Sequence, residues 1–231
     1  MHRRIFATGM FSQKPYWQRL VNMLGKSFII GYWPFWEKAG TTATEIVNAR
    51  NGTYAAAGIT YGQPGVGDRK TSVLLDGDGA HYIVIGHAAV LSAFSWAAGS
   101  FMIWAKVSVV GDWTDGVRRH LFHTNFDANN YIRFSKEINN IITCDVKFGG
   151  DEKTLRFTTT SVDWIPFVVT WDKAADNLYL YAAGALVDQA HSLGTGTGTP
   201  GGMRVGSSTG SSGGWKGNLA HAILLNKAVT P

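Results

Sequence analysis

The sequence predicts an all-β fold, an antiparallel β-sandwich that follows a short, partly helical arm at the amino terminus. Short apolar segments recur along most of the chain and are separated by residues that favour turns. The 231 residues, 45% hydrophobic and 13% aromatic, are enough to bury a sizeable core. Before residue 31 the apolar residues follow helical spacing instead. We therefore divide the chain into an arm, residues 1–30, and a sandwich, residues 31–231.

The arm carries four apolar residues at the spacing of one helix face, Trp17, Leu20, Val21 and Leu24. Gly25 follows directly and is a residue type that commonly ends helices. Because a free helix does not leave such a stripe in water, we expect it to pack on another subunit or on the chain's own sandwich. Our first interpretation is an assembly arm, which predicts a homo-oligomer or contacts with neighbouring coat subunits.

The middle of the chain alternates between apolar and polar residues, as strands with one buried face do. Residues 101–109 alternate around Trp104, which we place in the core together with Trp164 and Trp171. Further strands are predicted at residues 119–124, 130–136, 140–148 and 154–161.

The last third of the chain has an ordered set of strand motifs. A tryptophan opens a strand that ends at an aspartate in residues 164–172, and Tyr181 then begins a Y-x-x-G turn. A hydrophobic-G-S strand follows at residues 203–207 and an aromatic-x-G-x-hydrophobic strand at 215–219. This order resembles the closing strands of laminin-G-like domains of the concanavalin A-like superfamily.

An earlier block extends the same resemblance. Residues 32–43 fit Y-W-x-hydrophobic-x-E-x-x-G-x-x-A, and residues 51–54 fit N-G-x-Y. Residues 75–85 resemble F-D-G-x-x-x-Y-V-x-I, with Leu75 in place of phenylalanine. The resemblance spans residues 31–227 and is to members of the type found in phage and environmental bacterial proteins. It implies a concanavalin A-like jelly roll. That fold hosts lectins, glycosidases, adhesion modules and viral coat components, so the resemblance implies no single function.

The carboxylates do not form the pattern of a glycoside hydrolase. Such an enzyme needs two carboxylates that flank the sugar, and hydrolases of this superfamily carry them as Glu-x-Asp-x-(x)-Glu. The glutamates of this chain are Glu37, Glu45, Glu137 and Glu152, and none lies in that pattern. Glu137 ends a predicted strand, where a solvated turn residue is the simpler interpretation. We therefore predict that the protein is not an enzyme.

Two acidic loops are candidates for calcium, which takes six to eight oxygen ligands. Their carboxylates are Asp76, Asp78, Asp112 and Asp115. The simpler interpretation of the first loop is a tight turn between strands. His120 and His123 lie three apart on a predicted strand, so we expect them to point to opposite faces and not to share a zinc ion.

Sugar recognition uses exposed aromatic rings with polar groups beside them. Trp113, in the second acidic loop, and Trp215, after a glycine-rich loop, are the candidate rings. The alternative for each is that it caps the end of the sandwich.

Composition argues against several partners. Charged residues make up only 16% of the chain and its net charge is +5, with the basic residues scattered, so no nucleic-acid site is predicted. Lys14 and Arg19 interrupt the amino-terminal apolar run, so neither a cleaved export signal nor a membrane span is expected. Cys144 is the single cysteine and cannot form an intrachain disulfide.

The leading hypothesis is a non-catalytic structural or adhesion protein, a bacteriophage virion component that decorates a capsid or forms part of a tail. The alternative is a carbohydrate-binding module, with calcium as an optional aid, that acts on surface glycans outside the cell or at the cell surface. A glycoside hydrolase is the third hypothesis. No cofactor other than calcium is implied.

Overall fold

The structure, a computed structural model, describes residues 14–55, 58–210 and 213–229. Its helices are α1 at Tyr16–Leu24 and α2 at Ala88–Ala93, with 3-10 turns at Lys26–Phe28 and Val110–Asp112. The strands are β1 Ile29–Trp33, β2 Thr42–Ala43, β3 Gly52–Ala55, β4 Ile59–Pro64, β5 Thr71–Asp76, β6 Tyr82–Ile85, β7 Ala98–Lys106, β8 Arg119–Asp127, β9 Asn130–Lys136, β10 Ile142–Phe148, β11 Asp151–Phe157, β12 Ile165–Asp172, β13 Asn177–Ala182, β14 Ala185–Ala190, β15 Gly202–Val205 and β16 Lys216–Leu225. In the described part of the chain, no helix is long and apolar enough to cross a membrane.

The strands form two antiparallel sheets of eight strands each, which confirms the predicted sandwich. The first sheet has the order β14-β13-β12-β7-β16-β5-β4, and β1 also pairs with β16. The second sheet has the order β11-β10-β9-β8-β15-β6-β3-β2. Strands that are distant in sequence are neighbours in both sheets. Each outer face therefore combines residues from many parts of the chain.

Aromatic rings from the two facing surfaces fill the space between the sheets. Phe101 of β7 stacks on Phe122 of β8, with ring centroids 3.9 Å apart and an interplanar angle of 17°. Phe134 of β9 meets Phe167 of β12 edge to face at 5.2 Å. All four rings are buried and connect one sheet to the other. Such contacts bury large apolar areas and favour the sandwich by the hydrophobic effect.

Alternation along the strands gives the second sheet a polar outer face. In β9, Ile132 and Phe134 point into the core, so Tyr131 and Arg133 point outward. The adjacent β10 follows the same rule: its even-numbered residues from 142 to 148 belong to the core and its odd-numbered residues face outward. The outward residues of these strands are the basis of the site described below.

Helix α1 confirms the helical part of the predicted arm and lies on the outer face of the first sheet. Leu20 and Leu24 are each 7% exposed, whereas Trp17 and Val21 are partly buried at the edge of the contact. The sheet residues beneath the helix are Ile29, Tyr32, Ile223 and Leu225. The apolar stripe therefore packs on the chain's own sandwich, and its role in assembly stays a prediction. Residues 1–13 of the predicted arm lie outside the described residues.

Strand β1 begins at Ile29, so the first sheet takes up the last two residues of the predicted arm, residues 1–30. All five residues of β1 are buried. One side of the strand contacts the core between the sheets and the other side lies beneath α1. An apolar run without alternation, as in β1, is the sequence pattern of a strand covered on both faces.

Two tryptophans predicted for the core lie elsewhere. Trp104 is on the outer side of β7 and faces Tyr16 of α1, with ring centroids 6.5 Å apart. Trp164 precedes β12 and is only half-buried. Trp171 lies in the core as predicted. The prediction for Trp104 is wrong because β7 carries apolar residues on both faces where α1 covers the sheet, so hydrophobicity alone does not identify its core side.

Candidate functional site

A row of polar side chains crosses the outer face of the second sheet. The strand registers place Asp145 of β10 beside Arg133 of β9, and Arg133 beside His123 of β8. Arg204 of β15 continues the row at one end and Thr154 of β11 at the other. We call these five residues the polar row. Neighbouring strands lie ~4.8 Å apart, so a row across five strands spans about 20 Å.

Arg133 is held at the centre of the polar row. Its Nε and Nη2 donate to one carboxylate oxygen of Asp145, at 3.0 and 2.6 Å. The other oxygen of Asp145 accepts from Thr154 Oγ1 at 2.8 Å. The Asp145 side chain is 6% exposed, so this pair is far less screened than a pair at an open surface. Among the described residues, Nη1 of Arg133 has no hydrogen-bond partner and can donate to a ligand.

Tyr131 lies two residues before Arg133 and adds an aromatic ring to the same face. Its hydroxyl donates to Glu152 Oε1 at 2.7 Å, and the cationic group of Lys147 lies 5.9 Å from its ring centroid. Burial and the bond to Glu152 raise the pKa of Tyr131 to about 12, so the phenol stays protonated. Beside the ring is a cavity of about 410 Å³, which we call the tyrosine cavity. It is lined by His123, Asp127, Ala128, Tyr131 and Arg133.

A second cavity, of about 540 Å³, lies at the Arg204 end of the polar row. The guanidinium of Arg204 lies 4.1 Å from the ring centroid of Tyr82, and its Nη1 donates to the carbonyl of Ser208 at 3.0 Å. Val84 and Gly202 also line this cavity. His123 lines the tyrosine cavity and its neighbour Arg204 lines the second cavity, so the two cavities adjoin along the polar row.

His120 and His123 lie on the same face, and the prediction that they point to opposite faces is wrong. The pairing of β8 with β9 shifts between His120 and Phe122, so Leu121 is an inserted residue, a β-bulge. The bulge brings the imidazole rings together, with centroids 5.8 Å apart and an interplanar angle of 17°.

Both rings are neutral at physiological pH. Burial, together with nearby positive charge, lowers the pKa of His120 and of His123 to about 4. His123 Nδ1 accepts the backbone N–H of Thr209 at 3.0 Å, so the proton of this ring lies on Nε2. His123 thus adds a neutral donor to the polar row.

Trp113 and Trp215 form an internal pair rather than an exposed platform. Each is 1% exposed, and their rings meet edge to face with centroids 5.6 Å apart. Trp113 Nε1 donates to the carbonyl of Ser161 at 2.7 Å, which ties two loops together over the end of the sandwich. The exposure that sugar stacking requires is absent at both residues. The alternative interpretation, that these tryptophans cap the sandwich, describes them correctly.

The first acidic loop is a tight turn. Asp76 Oδ1 lies 2.8 Å from Nδ1 of His81 and also accepts the backbone N–H of Asp78 at 3.0 Å. Asp78 in turn accepts the backbone N–H of Ala80 at 2.8 Å. These bonds are the ones expected of a tight turn between strands, and calcium binding at this loop stays a prediction.

The second acidic loop neutralises its carboxylates with basic side chains. Asp112 is buried and lies 2.8 Å from Lys216 Nζ. Burial disfavours the charge of Asp115, but bonds from Lys136 and Arg119 outweigh it and lower the pKa of this carboxyl to about 2. The described residues contain no group of three or more histidines, cysteines, aspartates or glutamates that could hold a metal ion. The predicted ligands Asp76, Asp78, Asp112 and Asp115 thus have protein partners instead.

The glutamates serve as hydrogen-bond acceptors within the protein. Glu137 accepts from Ser135 Oγ at 2.7 Å and from Arg118 Nε at 2.6 Å. Burial acts to raise the pKa of Glu137, but these bonds outweigh it and the pKa is lowered. A general acid in glycoside hydrolysis needs the opposite shift, so Glu137 is poorly placed for that role. Glu45 is buried and accepts the backbone N–H of Tyr32 and of three loop residues.

No residue of the polar row is among the site residues predicted from the sequence. Tyr131 and Arg133, like Asp145 and Lys147, are polar at alternate positions of a predicted strand, which is the pattern of an outward face. That pattern was available in the sequence. The order of the strands in the sheet was not, and only that order shows that these positions are neighbours.

No protein-family model matches this sequence, and no curated protein matches it. Solved structures with the same fold include botulinum neurotoxin type C, which enters cells by interaction with two ganglioside molecules, at 11% identity and a TM-score of 0.66. They also include the binding domain of Paraclostridial Mosquitocidal Protein 1, at 14% identity and a TM-score of 0.63. A third is domain 4 of AbnA, a GH43 extracellular arabinanase from Geobacillus stearothermophilus, solved with arabinotriose, at 13% identity and a TM-score of 0.62.

The matches differ in how much of each protein they cover. They include 91% of this chain but 50% of the neurotoxin chain, and 88% of this chain but 50% of the mosquitocidal protein's binding domain. The match to the arabinanase domain includes 88% of this chain and 95% of that domain. This chain therefore spans about half the length of the toxin chains and nearly all of the arabinanase domain. At these identities the comparisons establish a shared β-sandwich fold.

Proposed function

We propose that the protein is a non-catalytic carbohydrate-binding module whose glycan site is the polar row with its tyrosine cavity. The observation that carries the proposal is the fixed position of Arg133 beside that cavity. Asp145 holds Nε and Nη2 of the guanidinium, and the 410 Å³ cavity lies alongside. A donor oriented in advance loses little entropy when a ligand binds, which favours affinity.

The chemistry of this face suits sugar hydroxyls. Nη1 of Arg133, Nε2 of His123 and the ammonium of Lys147 are donors, and the exposed Asp127 at the edge of the cavity is an acceptor. Tyr131 adds an apolar ring surface against which the C–H groups of a sugar can pack. Few polar groups in fixed positions around an aromatic surface are typical of small-ligand sites.

The structural comparisons support the same class of ligand. One matched domain was solved with arabinotriose, and another matched protein interacts with gangliosides. The matched regions cover most of this chain, so the proposal places the module as a whole among binding domains. The particular glycan follows from neither comparison, because shared fold does not fix the ligand.

The test is a glycan array that carries arabinan oligosaccharides, ganglioside headgroups and bacterial surface polysaccharides, followed by calorimetry with each glycan that binds. Tyr131→Ala and Arg133→Gln should each weaken binding by about tenfold or more, the loss expected when a hydrogen bond to a charged group or a packed ring is removed. Tyr179→Ala, on the outer face of the first sheet, is the matched control and should bind normally. No binding on the array, or equal affinity in all variants, would overturn the proposal.

A second candidate is a structural or adhesion component of a virion, such as a bacteriophage capsid-decoration or tail protein. What supports it is an apolar surface next to α1. Met23 is 71% exposed and Phe28 40% exposed. Beside Met23 is a largely apolar cavity of about 360 Å³, which Met102 and Val168 also line. A partner subunit in a particle would cover these groups. A glycan-binding face on such a particle is compatible with attachment to a cell surface.

Light scattering of the purified protein tests this second candidate. Self-association that Met23→Ser and Phe28→Ser reduce would support it, because both changes remove exposed apolar surface without touching the core. Leu186→Ser, a change at an exposed leucine on β14, is the control and should not alter the mass. A monomer at all concentrations would count against self-assembly through this surface.

A further inference from the structure

A small cavity lies where α1 meets the outer face of the first sheet. Its volume is about 160 Å³, and we call it the arm cavity. It is lined by Tyr16, Arg19, Val66, Gly67, Asp68 and Trp104. Arg19 and Gly67 are exposed, so the cavity opens to solvent beside them. The polar row lies on the outer face of the other sheet, so the two locations do not share residues.

Asp68 brings a buried carboxylate to the arm cavity. Its side chain is 5% exposed, and its Oδ2 lies 3.1 Å from Nε2 of His221. That approach is an ion-pair distance without hydrogen-bond alignment, and Oδ2 accepts no aligned hydrogen bond. Buried carboxylate oxygens normally accept hydrogen bonds, because an unpaired one carries a large desolvation penalty. Among the described residues, the only donor beside Oδ2 of Asp68 is therefore Nε2 of His221, and it is not aligned for a hydrogen bond.

His221 is fixed behind Asp68 at a strained position. Its φ is +50° at the bulge in β16, a region that non-glycine residues seldom adopt, and its side chain is buried. Burial lowers the pKa of His221 more than Asp68 raises it, so the ring is neutral. The hydroxyl of Tyr32 lies 2.6 Å from Nδ1 and donates to it, which leaves the proton on Nε2, toward Asp68. The carboxylate of Asp68 is thus backed by a neutral ring.

Trp104 brings a buried donor to the same cavity. Its indole Nε1 has no aligned hydrogen-bond partner among the residues that the structure describes. The phenol of Tyr16 approaches it edge to face, and this N–H opposes part of the rise that burial causes in the pKa of Tyr16. The approach does not complete a hydrogen bond. Within the described part of the chain, the arm cavity therefore has an acceptor without an aligned donor at Asp68 and a donor without an aligned acceptor at Trp104.

We propose that the arm cavity is a second sugar-binding site, in which one sugar unit places a hydroxyl between Trp104 and Asp68. A hydroxyl both accepts and donates, so a single group satisfies the indole N–H and the carboxylate. The rings of Tyr16 and Trp104 supply apolar surface, and Arg19 at the mouth supplies further donors. A volume of 160 Å³ equals that of about five water molecules, which suits one ring rather than a chain of sugars.

Charge favours a neutral ligand in the arm cavity. Arg19 would repel a cation and Asp68 would repel an anion, whereas a polyhydroxyl compound meets complementary partners at both. Tyr16 and Arg19 come from α1, so the site is incomplete without the amino-terminal helix. The sugar class of the ligand rests on the proposed function of the polar row. The location of the site rests on the arm cavity alone.

The test observes the indole N–H of Trp104 directly. In the ¹H–¹⁵N spectrum of the full chain, its signal is the one lost in Trp104→Phe. Arabinose, galactose, glucose and N-acetylglucosamine are each titrated into the protein. The Trp104 signal should move saturably with at least one of them. Asp68→Asn should weaken the binding of that sugar about tenfold or more, because a hydrogen bond to a charged group is lost. Tyr131→Ala, in the tyrosine cavity, should leave the titration of the Trp104 signal unchanged.

A Trp104 signal that none of these sugars moves would show that the arm cavity holds water only, and so would overturn the inference. The inference would also be overturned if Asp68→Asn bound the sugar with the same affinity as the unchanged protein in the titration of the Trp104 signal. If Asp68→Asn fails to fold, calorimetry of Trp104→Phe replaces it: that variant keeps a ring, loses the N–H and should bind about fivefold more weakly. If Tyr131→Ala loses array binding and no sugar moves the Trp104 signal, only the arm-cavity site is refuted. If Tyr131→Ala keeps array binding and a sugar does move the Trp104 signal, only the polar-row site is refuted.

Discussion

His120 and His123 illustrate at the residue scale how one inserted residue changes a surface. Strict alternation would turn one imidazole into the core, whereas the bulge at Leu121 brings both to the outer face. There the ring centroids lie 5.8 Å apart, and burial together with nearby positive charge keeps both rings neutral. Because the folded protein holds both rings neutral, its free energy of unfolding depends on pH.

We expect the free energy of unfolding to fall as pH drops from about 6.5 to about 4. The pKa of each ring is about 4 in the folded protein but 6.5 ordinarily, so in this window the unfolded chain binds more protons than the folded one. Each unit by which a pKa is lowered corresponds to about 1.4 kcal/mol. Urea unfolding measured across this window should show the loss.

The double variant His120→Asn, His123→Asn should flatten that pH dependence, although His221, whose pKa burial also lowers, will retain part of it. His191→Asn changes an exposed histidine and is the matched control, with an unaltered profile expected. An unchanged slope in the double variant would mean that the pair is not held neutral in the folded protein.

Single residues also mark the limit of what the sequence predicts. Trp113 and Trp215 stand in loops with turn residues around them, which indicates exposure, yet each is the other's packing partner. Their proximity depends on how the loops fold over the end of the sandwich. No periodicity in the sequence encodes that contact. Tyr131 and Arg133 are the opposite case, since alternation alone assigns them to an outward face.

At the scale of elements, α1 behaves as part of the sandwich. Leu24, on the side of α1 that faces the sheet, packs against the outer face of β1 and β16 and is 7% exposed. Leu24→Ala should lower the free energy of unfolding by about 2 to 3 kcal/mol, through lost burial and a residual cavity. Chemical denaturation of the full chain measures this change.

Met23→Ala on the same helix is the matched control for Leu24→Ala. Met23 is 71% exposed, so its truncation should alter the free energy of unfolding by less than about 0.5 kcal/mol. Equal effects of the two changes would mean that α1 is not docked in solution. A docked helix also predicts that removing residues 1–28 exposes Tyr32, Ile223 and Leu225 and lowers stability, rather than leaving the sandwich intact.

The elements themselves follow from the sequence better than their contacts do. The predicted strands at 119–124, 130–136, 140–148 and 154–161 correspond to β8, β9, β10 and β11. The side of β7 predicted for Trp104 was wrong because α1 covers the outer face of the first sheet with a second apolar layer. Both faces of β7 are therefore apolar there, and an apolar residue can lie outside the core between the sheets. A helix of nine residues gives no local signal of the surface on which it docks.

At the scale of the whole molecule, the structure predicts binding without hydrolysis. Glu137 is ionised and bonded to Arg118 and Ser135, and Glu152 accepts from Tyr131. We expect no release of reducing ends from arabinans, β-glucans or bacterial surface polysaccharides incubated with the protein. Any trace activity should be the same in preparations of Glu137→Gln and of the unchanged protein. Equal activity would show that a contaminant causes it. Turnover that Glu137→Gln abolishes would instead make the module an enzyme.

Strand β16 pairs with β7 on one side and with both β5 and β1 on the other, so it is a central strand of the first sheet. During synthesis, β1, β5 and β7 leave the ribosome long before residues 216–225 do. Until then the first sheet is split into three parts, which are β14-β13-β12-β7, β5-β4 and β1 alone. Their pairing edges are open, and open edges promote association with other chains. The nascent protein therefore needs protection at these edges until β16 emerges, and slow closure of the sheet is expected from such distant pairings.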